Sequence, residues 1–167
     1  VASKLLEYID KTTEEEQLRP RLFDMAIEFM ESITNAKGNY MTLFYAFIVK
    51  SLALNGVMPD LKQCVSCGKP LQDIRSEESG KVKYFSVGGG GILCEDCYTR
   101  LDIRDVALIF KPEFDIVEVL DYFAKRPLSS FEKVSLKPGV SAGLQRILSE
   151  YLKYYLDVDI FDDELIL

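Results

Sequence analysis

Hydrophobic side chains recur at three- and four-residue steps in several stretches of the chain, which is the spacing of one face of an α-helix. Residues 22–33 show this most clearly, because acidic side chains fall on the opposite face. A last helix is predicted after Ser141, which can cap it. Shorter helical patterns occupy residues 3–10, 106–110 and 116–123. The chain is therefore expected to be mainly helical.

The stretch from Tyr40 to Asn55 is apolar on nearly every side and is also predicted to be a helix. Asn39 is expected to cap its first turn and Gly56 to close it, with Pro59 just beyond. A helix without a polar face is usually the buried centre of a bundle. We expect this helix to form the core of the fold.

Residues 61–100 differ in composition from the rest of the chain. They contain all four cysteines, six of the ten glycines and short β-like runs such as VKYFSV and GIL. The cysteines stand as Cys64-x2-Cys67 and, after a gap of 26 residues, Cys94-x2-Cys97. Two such pairs separated by a strand-rich stretch are typical of a four-cysteine zinc ribbon, since tetrahedral zinc takes two thiolates from each turn.

Three other roles are compatible with two Cys-x-x-Cys pairs. A redox Cys-x-x-Cys motif needs one pair and a βαβ context, which the sequence lacks. Disulfides are disfavoured because no secretion signal precedes them. The third alternative, that the four cysteines are free thiols that bind no metal, is left open. The favoured interpretation is one structural Zn²⁺ held by Cys64, Cys67, Cys94 and Cys97.

The sequence thus predicts a mainly α fold, a helical bundle with an inserted small β four-cysteine zinc ribbon. Residues 1–60 would form the first part of the bundle, residues 61–100 the insert, and residues 101–167 the closing part. Gly88–Gly91 are expected to bend a hairpin rather than cradle a phosphate, because the lysine and hydroxyl residue of a phosphate-binding loop do not follow them.

The composition of the chain argues against several classes of function. The formal net charge of −7 argues against phosphate binding over the whole surface. The absence of histidine removes the usual general base and the Ser–His and Cys–His nucleophile pairs, so the protein is not expected to be an enzyme or to have a small-molecule substrate. The longest apolar run, residues 40–49, is too short to span a membrane.

Basic side chains concentrate around the cysteine-rich insert, which is the least acidic part of the chain. A basic face of this kind can contact phosphates, although such charges are more often a solvated surface. The residues favoured for nucleic-acid contact are Lys81, Lys83, Arg100 and Arg104.

Three segments resemble the C-terminal region of the RecO family of bacterial recombination mediators. These segments are a Gly-x-x-Pro-x-Leu turn at residues 56–61, the Cys-x-x-Cys-Gly run at residues 64–68, and the FSVGGGGILCEDC hairpin at residues 85–97. The family also has an N-terminal OB-fold, which these residues do not include. The sequence is therefore expected to be part of a longer protein.

The resemblance implies a non-enzymatic DNA repair and recombination protein in the cytoplasm, associated with the nucleoid. Such proteins bind single- and double-stranded DNA, anneal strands, pair with RecR, engage the C-terminal tail of single-strand DNA-binding protein and help to load RecA. In this family zinc is structural where all four cysteines are kept, as they are here.

The central helix departs from the family pattern. Relatives often have an Arg-Phe-Glu-like run, a candidate contact for the partner's acidic tail, where this chain has Ala46-Phe47-Ile48. Lys50 is then the nearest cation for that contact. The alternative function is a generic zinc-ribbon scaffold that binds proteins without direct DNA contact, which the acidic net charge favours.

Overall fold

The computed structural model describes residues 1–13, 19–37, 40–102 and 104–161. Within them the chain is mainly helical with a small β part, as predicted, and that β part is a three-stranded sheet. The helices are α1 (Ala2–Thr12), α2 (Pro20–Asn35), α3 (Tyr40–Leu54), α4 (Leu71–Glu77), α5 (Glu95–Thr99), α6 (Ile116–Lys125) and α7 (Pro138–Leu156). The strands are β1 (Tyr84–Ser86), β2 (Gly91–Leu93) and β3 (Ile109–Phe110), and 3₁₀ turns occupy Val106–Leu108 and Leu128–Phe131.

Helix α3 is the centre of the bundle, which confirms the prediction from its apolar sequence. Ten of its 15 residues are buried, and it packs against α2, α6 and α7. The fully buried Phe47 ring lies 5.8 Å from the Tyr8 ring of α1 and 5.4 Å from the Phe29 ring of α2, between centroids. None of the described helices, α3 included, has the length and apolar character needed to cross a bilayer.

The strands form an antiparallel sheet in the order β2-β1-β3. β1 and β2 make the predicted hairpin, in which Tyr84 pairs with Leu93. The helix predicted over residues 106–110 is wrong, because a 3₁₀ turn there leads into β3, where Phe110 pairs with Phe85. A strand partner in space outweighs a short local helical pattern.

The hairpin packs into the same hydrophobic core as the helices. Phe85 and Ile92 are fully buried, and the Phe85 ring lies 6.1 Å from that of Tyr151 on α7. The Tyr155 hydroxyl of α7 donates a hydrogen bond to the Val87 carbonyl oxygen at 2.9 Å. The core is therefore continuous between the bundle and the cysteine-rich segment, while the domain boundaries drawn from composition stay a prediction.

The helices differ from the sequence prediction in two ways: two short helices were not predicted, and the last helix begins earlier than expected. The cysteine-rich segment contains α4 and α5, which periodicity did not predict because each is only five to seven residues long. The last helix begins at Pro138, so Ser141 lies inside it and does not cap it. Proline suits a first helical position, where its missing N–H is not needed. The predicted cap Asn39 falls outside the described residues.

Gly91, the first residue of β2, lies against the backbone of Asp60. A Cβ atom at Gly91 would clash with the Asp60 carbonyl oxygen and lie 2.9 Å from its nitrogen. We expect Gly91→Ala to lower the free energy of unfolding by about 1–3 kcal/mol, because the side chain overpacks a closed contact. Urea denaturation followed by circular dichroism measures this loss.

Gly139→Ala is the matched control for that substitution. Gly139 lies in the first turn of α7, and a Cβ there would meet no atom within 4 Å. Its replacement should be neutral or stabilise the fold by up to about 1 kcal/mol, because alanine restricts the unfolded chain. Equal losses at the two positions would contradict the close approach at Gly91.

Candidate metal centre

The two Cys-x-x-Cys pairs converge on one point. The sulfur atoms of Cys64, Cys67, Cys94 and Cys97 all lie within 4.8 Å of one another, and those of Cys67 and Cys94 are 3.8 Å apart. Four sulfurs at about 2.3 Å from a zinc ion would lie about 3.8 Å apart along the edges of a tetrahedron. The four predicted ligands are therefore brought together, and their arrangement can hold a metal ion.

The first knuckle, residues 64–68, is a turn closed by backbone hydrogen bonds. The Gly68 N–H donates to the Cys64 carbonyl oxygen, and the Cys64 N–H donates to the Lys69 carbonyl oxygen, both at 2.8 Å. Gly68 has φ = +75°, as expected from its position after the second cysteine. A residue with a Cβ would be strained there, so glycine lets the chain turn away from the sulfurs.

The second knuckle, residues 94–97, lies where β2 passes into α5. Cys94 immediately precedes the helix, and Cys97 lies in its first turn. The knuckles are joined to each other, since the Val65 N–H donates to the Ile92 carbonyl oxygen at 2.9 Å. The Cys94 N–H also donates to the Cys64 sulfur at 3.4 Å. These bonds hold the two pairs side by side through the polypeptide itself.

The thiols differ in acidity. Burial would raise the pKa of Cys64, but hydrogen bonds from the backbone N–H groups of Cys94, Cys67 and Ser66 outweigh it and lower that pKa to about 7. Burial raises the pKa of Cys94 to about 12 and also raises the pKa of Cys97. Because metal ligation requires thiolates, metal binding at this cluster must release protons.

Ion pairs surround the knuckles. The Lys69 ammonium, next to the first knuckle, pairs with Glu77 of α4 at 2.5 Å and with Asp96 of the second knuckle at 3.0 Å. The Lys83 ammonium pairs with Glu95 at 2.7 Å. The hydrogen bond to Glu95 raises the pKa of Lys83, so this lysine stays charged within the cluster.

Comparison with known proteins identifies the family. A family model described as "Recombination protein O C terminal" matches residues 1–160. The chain belongs to the RecO family. Proteins named DNA repair protein RecO include that of Alkaliphilus metalliredigens, 26% identical over 93% of this chain and 58% of that protein. Those of Desulforamulus reducens (28% identical, 93% of this chain, 56% of that protein) and Bacillus pumilus (27%, 92% and 54%) are similar to it as well.

The chain spans a little over half the length of these RecO relatives. A comparison with solved structures gives no match. The family model covers the helices on both sides of the cysteine-rich segment as well as the knuckles and the hairpin.

The cations proposed to contact nucleic acid in this RecO chain lie in different surroundings. Lys83 is half-buried and paired with Glu95. Lys81 is exposed before β1, Arg100 is exposed at the end of α5, and Arg104 is exposed in the loop before β3. Of the four, Lys83 therefore has the least accessible charge. The nucleic-acid role of all four residues stays a prediction.

Lys50, the predicted contact for the partner's acidic tail, lies in the central helix α3. Its ammonium donates a hydrogen bond to the Ala124 carbonyl oxygen, near the end of α6, at 3.1 Å. Burial lowers the pKa of Lys50, and the Glu28 carboxylate opposes that shift. Ala46, Phe47 and Ile48 are fully buried. The Lys50 ammonium therefore already donates one hydrogen bond to α6. Its contact with a partner protein stays a prediction.

Sequence reasoning missed α4 and its contacts with the knuckles. Leu71 and Ile74 are spaced three residues apart after Pro70, which is a weak signal for a single helical turn. Nothing in the sequence pairs the acidic end of α4 with the second knuckle, because those residues are separated along the chain and meet only in the fold.

Proposed function

We propose that this chain is the zinc-containing, DNA- and partner-binding part of a DNA repair and recombination mediator, and that it acts without catalysing a reaction. The match of the RecO C-terminal family model to residues 1–160 supports this function most strongly. The proteins named DNA repair protein RecO that it resembles add to that support.

The metal is proposed to be one structural Zn²⁺ ligated by Cys64, Cys67, Cys94 and Cys97. The 3.8 Å sulfur separation and the donor set support this assignment. Four thiolates fill a tetrahedral site, which leaves no position for a substrate or an activated water. Zinc would therefore supply folding free energy to the knuckles rather than chemistry.

The partners are proposed from the family resemblance. They are single- and double-stranded DNA, RecR and the C-terminal tail of single-strand DNA-binding protein, and the protein would help RecA loading and strand annealing in the nucleoid-associated cytoplasm. The proposed contact for the acidic tail is Lys50, whose half-buried ammonium lies at the carboxyl end of α6.

DNA binding is proposed to use the exposed cations around the knuckles, and a salt titration tests it. We expect a labelled single-stranded oligonucleotide to bind with an affinity that falls as salt rises. Lys81→Ala and Arg100→Ala should each weaken binding and lower the salt slope by about 0.7–1, because each removes one phosphate contact. Fluorescence anisotropy at several salt concentrations measures both quantities.

Lys133→Ala is the control for these variants, because Lys133 is an exposed lysine between α6 and α7, away from the knuckles in sequence. It removes the same charge and should leave the salt slope unchanged. If the control lowers the slope as much as the two variants do, the proposed DNA-binding face is wrong.

A protein-binding scaffold without direct DNA contact is the second candidate. It is supported by the net charge of −7 and by the pairing of Lys83 with Glu95, which reduces the charge available to phosphate. This candidate predicts that the wild-type chain shows no salt-dependent affinity for the oligonucleotide. The same titration therefore separates the two functions.

A further inference from the structure

The end of α4 contacts the second knuckle through a buried carboxylate. Glu78, the residue after α4, is 4% exposed. Its Oε1 atom accepts a hydrogen bond from the Glu95 backbone N–H at 2.6 Å. Glu95 stands between the two cysteines of the second pair, so this bond fixes the peptide that connects one metal ligand to the next.

The Glu95 N–H has no partner within its own helix. The first N–H groups of any helix lack an acceptor, and a side chain before the helix usually supplies one. The residue in the capping position here is Cys94, and its side chain makes no cap hydrogen bond. Glu78 supplies the acceptor for the Glu95 N–H from the end of α4.

The position of Glu78 is itself well defined. Ile74, one turn earlier on α4, is fully buried, and the Glu78 N–H donates to its carbonyl oxygen at 2.9 Å. Ser79 and Gly80 then adopt φ values of +61° and +84°, which turn the chain sharply away. The Gly80 N–H closes this turn on the Arg75 carbonyl oxygen at 2.7 Å. The carboxylate is therefore presented from an anchored helix end.

A second contact from the same helix end reaches both knuckles. Glu77 pairs with Lys69, and the same ammonium pairs with Asp96 at 3.0 Å. Lys69 follows the first knuckle, and Asp96 lies within the second. The α4 end thus touches one knuckle through Glu78 and links the two through Lys69.

One oxygen atom of Glu78 is expected to lower the stability of the fold. Its Oε2 atom is buried and has no hydrogen-bond partner within the described part of the chain. A buried carboxylate oxygen without a partner opposes folding. Fold stability alone therefore gives a weak reason for glutamate at this position, whereas the bond to Glu95 gives a specific one.

We propose that Glu78 is a positioning residue for the metal centre, whose carboxylate sets the backbone of the second knuckle so that Cys94 and Cys97 present their sulfurs together. This inference rests on the proposed zinc site. It assigns the role to the hydrogen-bond acceptor at this position and not to its negative charge.

Three substitutions separate the acceptor from the charge. Glu78→Ala removes both, Glu78→Gln keeps an acceptor oxygen without the charge, and Glu78→Asp keeps the charge on a shorter side chain. Zinc affinity is measured by competition with a chromophoric chelator, and the geometry by the visible absorption of the Co²⁺-substituted protein. We expect Glu78→Ala to weaken zinc binding roughly 10- to 100-fold and to alter the Co²⁺ spectrum.

Glu78→Gln should stay close to the wild type in both readouts, and Glu78→Asp should fall between glutamine and alanine. Asp73→Ala is the matched control, because it removes an exposed carboxylate from the first turn of the same helix. It should leave both readouts unchanged. Should the alanine variant fail to fold, the order of glutamine and aspartate still decides between acceptor and charge.

Two results would overturn the assignment. Either Glu78→Ala binds zinc as tightly as the wild type with the same Co²⁺ spectrum, or Glu78→Asp retains affinity while Glu78→Gln loses it. A wild-type protein that binds neither zinc nor Co²⁺ is a different outcome, since it overturns the proposed metal centre and the role of Glu78 with it.

Discussion

Phe47→Ala is expected to lower the free energy of unfolding by about 3–5 kcal/mol, since it removes a large ring from a site that cannot collapse around the loss. Phe47 is fully buried on α3, and its ring is within 6 Å of the rings of Tyr8 and Phe29. The substitution removes both aromatic contacts and leaves a cavity where three helices meet. Urea denaturation at saturating zinc, followed by circular dichroism, measures the change.

Phe23→Ala on α2 makes the same chemical change on the surface. The Phe23 side chain is 64% exposed. Its removal should change the free energy of unfolding by no more than about 0.5 kcal/mol, as for most surface substitutions. A loss at Phe47 that does not exceed the loss at Phe23 would show that α3 is not the centre of the core.

The central helix could be predicted because its evidence is contained in one continuous stretch. Residues 40–54 are apolar on nearly every side, and burial is the usual setting for such a helix. β3 could not be predicted in the same way. Its two residues, Ile109 and Phe110, become a strand only because Ser86 and Phe85 lie beside them in space. The sequence around residues 109–110 does not show that β1 will be their neighbour in the sheet.

The residues of the candidate metal site show the same difference between local evidence and evidence that exists only in the fold. The four cysteines could be predicted because ligand spacing is a local property of each knuckle. Glu78 could not, because the chain has 27 acidic residues and nothing local distinguishes this one. What distinguishes it is its burial and its bond to Glu95, across 17 residues of chain. The ion pair between Lys83 and Glu95 could not be predicted for the same reason, since the two residues meet only in the fold.

Cys94→Ser is expected to abolish stoichiometric zinc binding and loosen the knuckles while leaving the helical bundle folded. Cys94 is buried, and a serine hydroxyl does not replace a thiolate as a zinc ligand. Structural zinc contributes about 10–16 kcal/mol of apparent binding free energy in finger peptides, so the loss should be large locally. Elemental analysis measures the metal, and amide hydrogen exchange locates the loosened segments.

Exchange should rise in residues 64–68 and 94–97, which the metal would hold together. The Phe85 and Ile92 amides in the hairpin should stay more protected, because both side chains are fully buried in the core shared with α7. Chelated wild-type protein is the matched control, since it lacks the metal but keeps all four thiols, and readdition of zinc should restore protection in it alone. If helical circular dichroism collapses when zinc is removed from either protein, the bundle depends on the metal. The continuous core would then be a consequence of the zinc site, and the stability attributed to α3 would have to be measured again with the metal as part of the folding reaction.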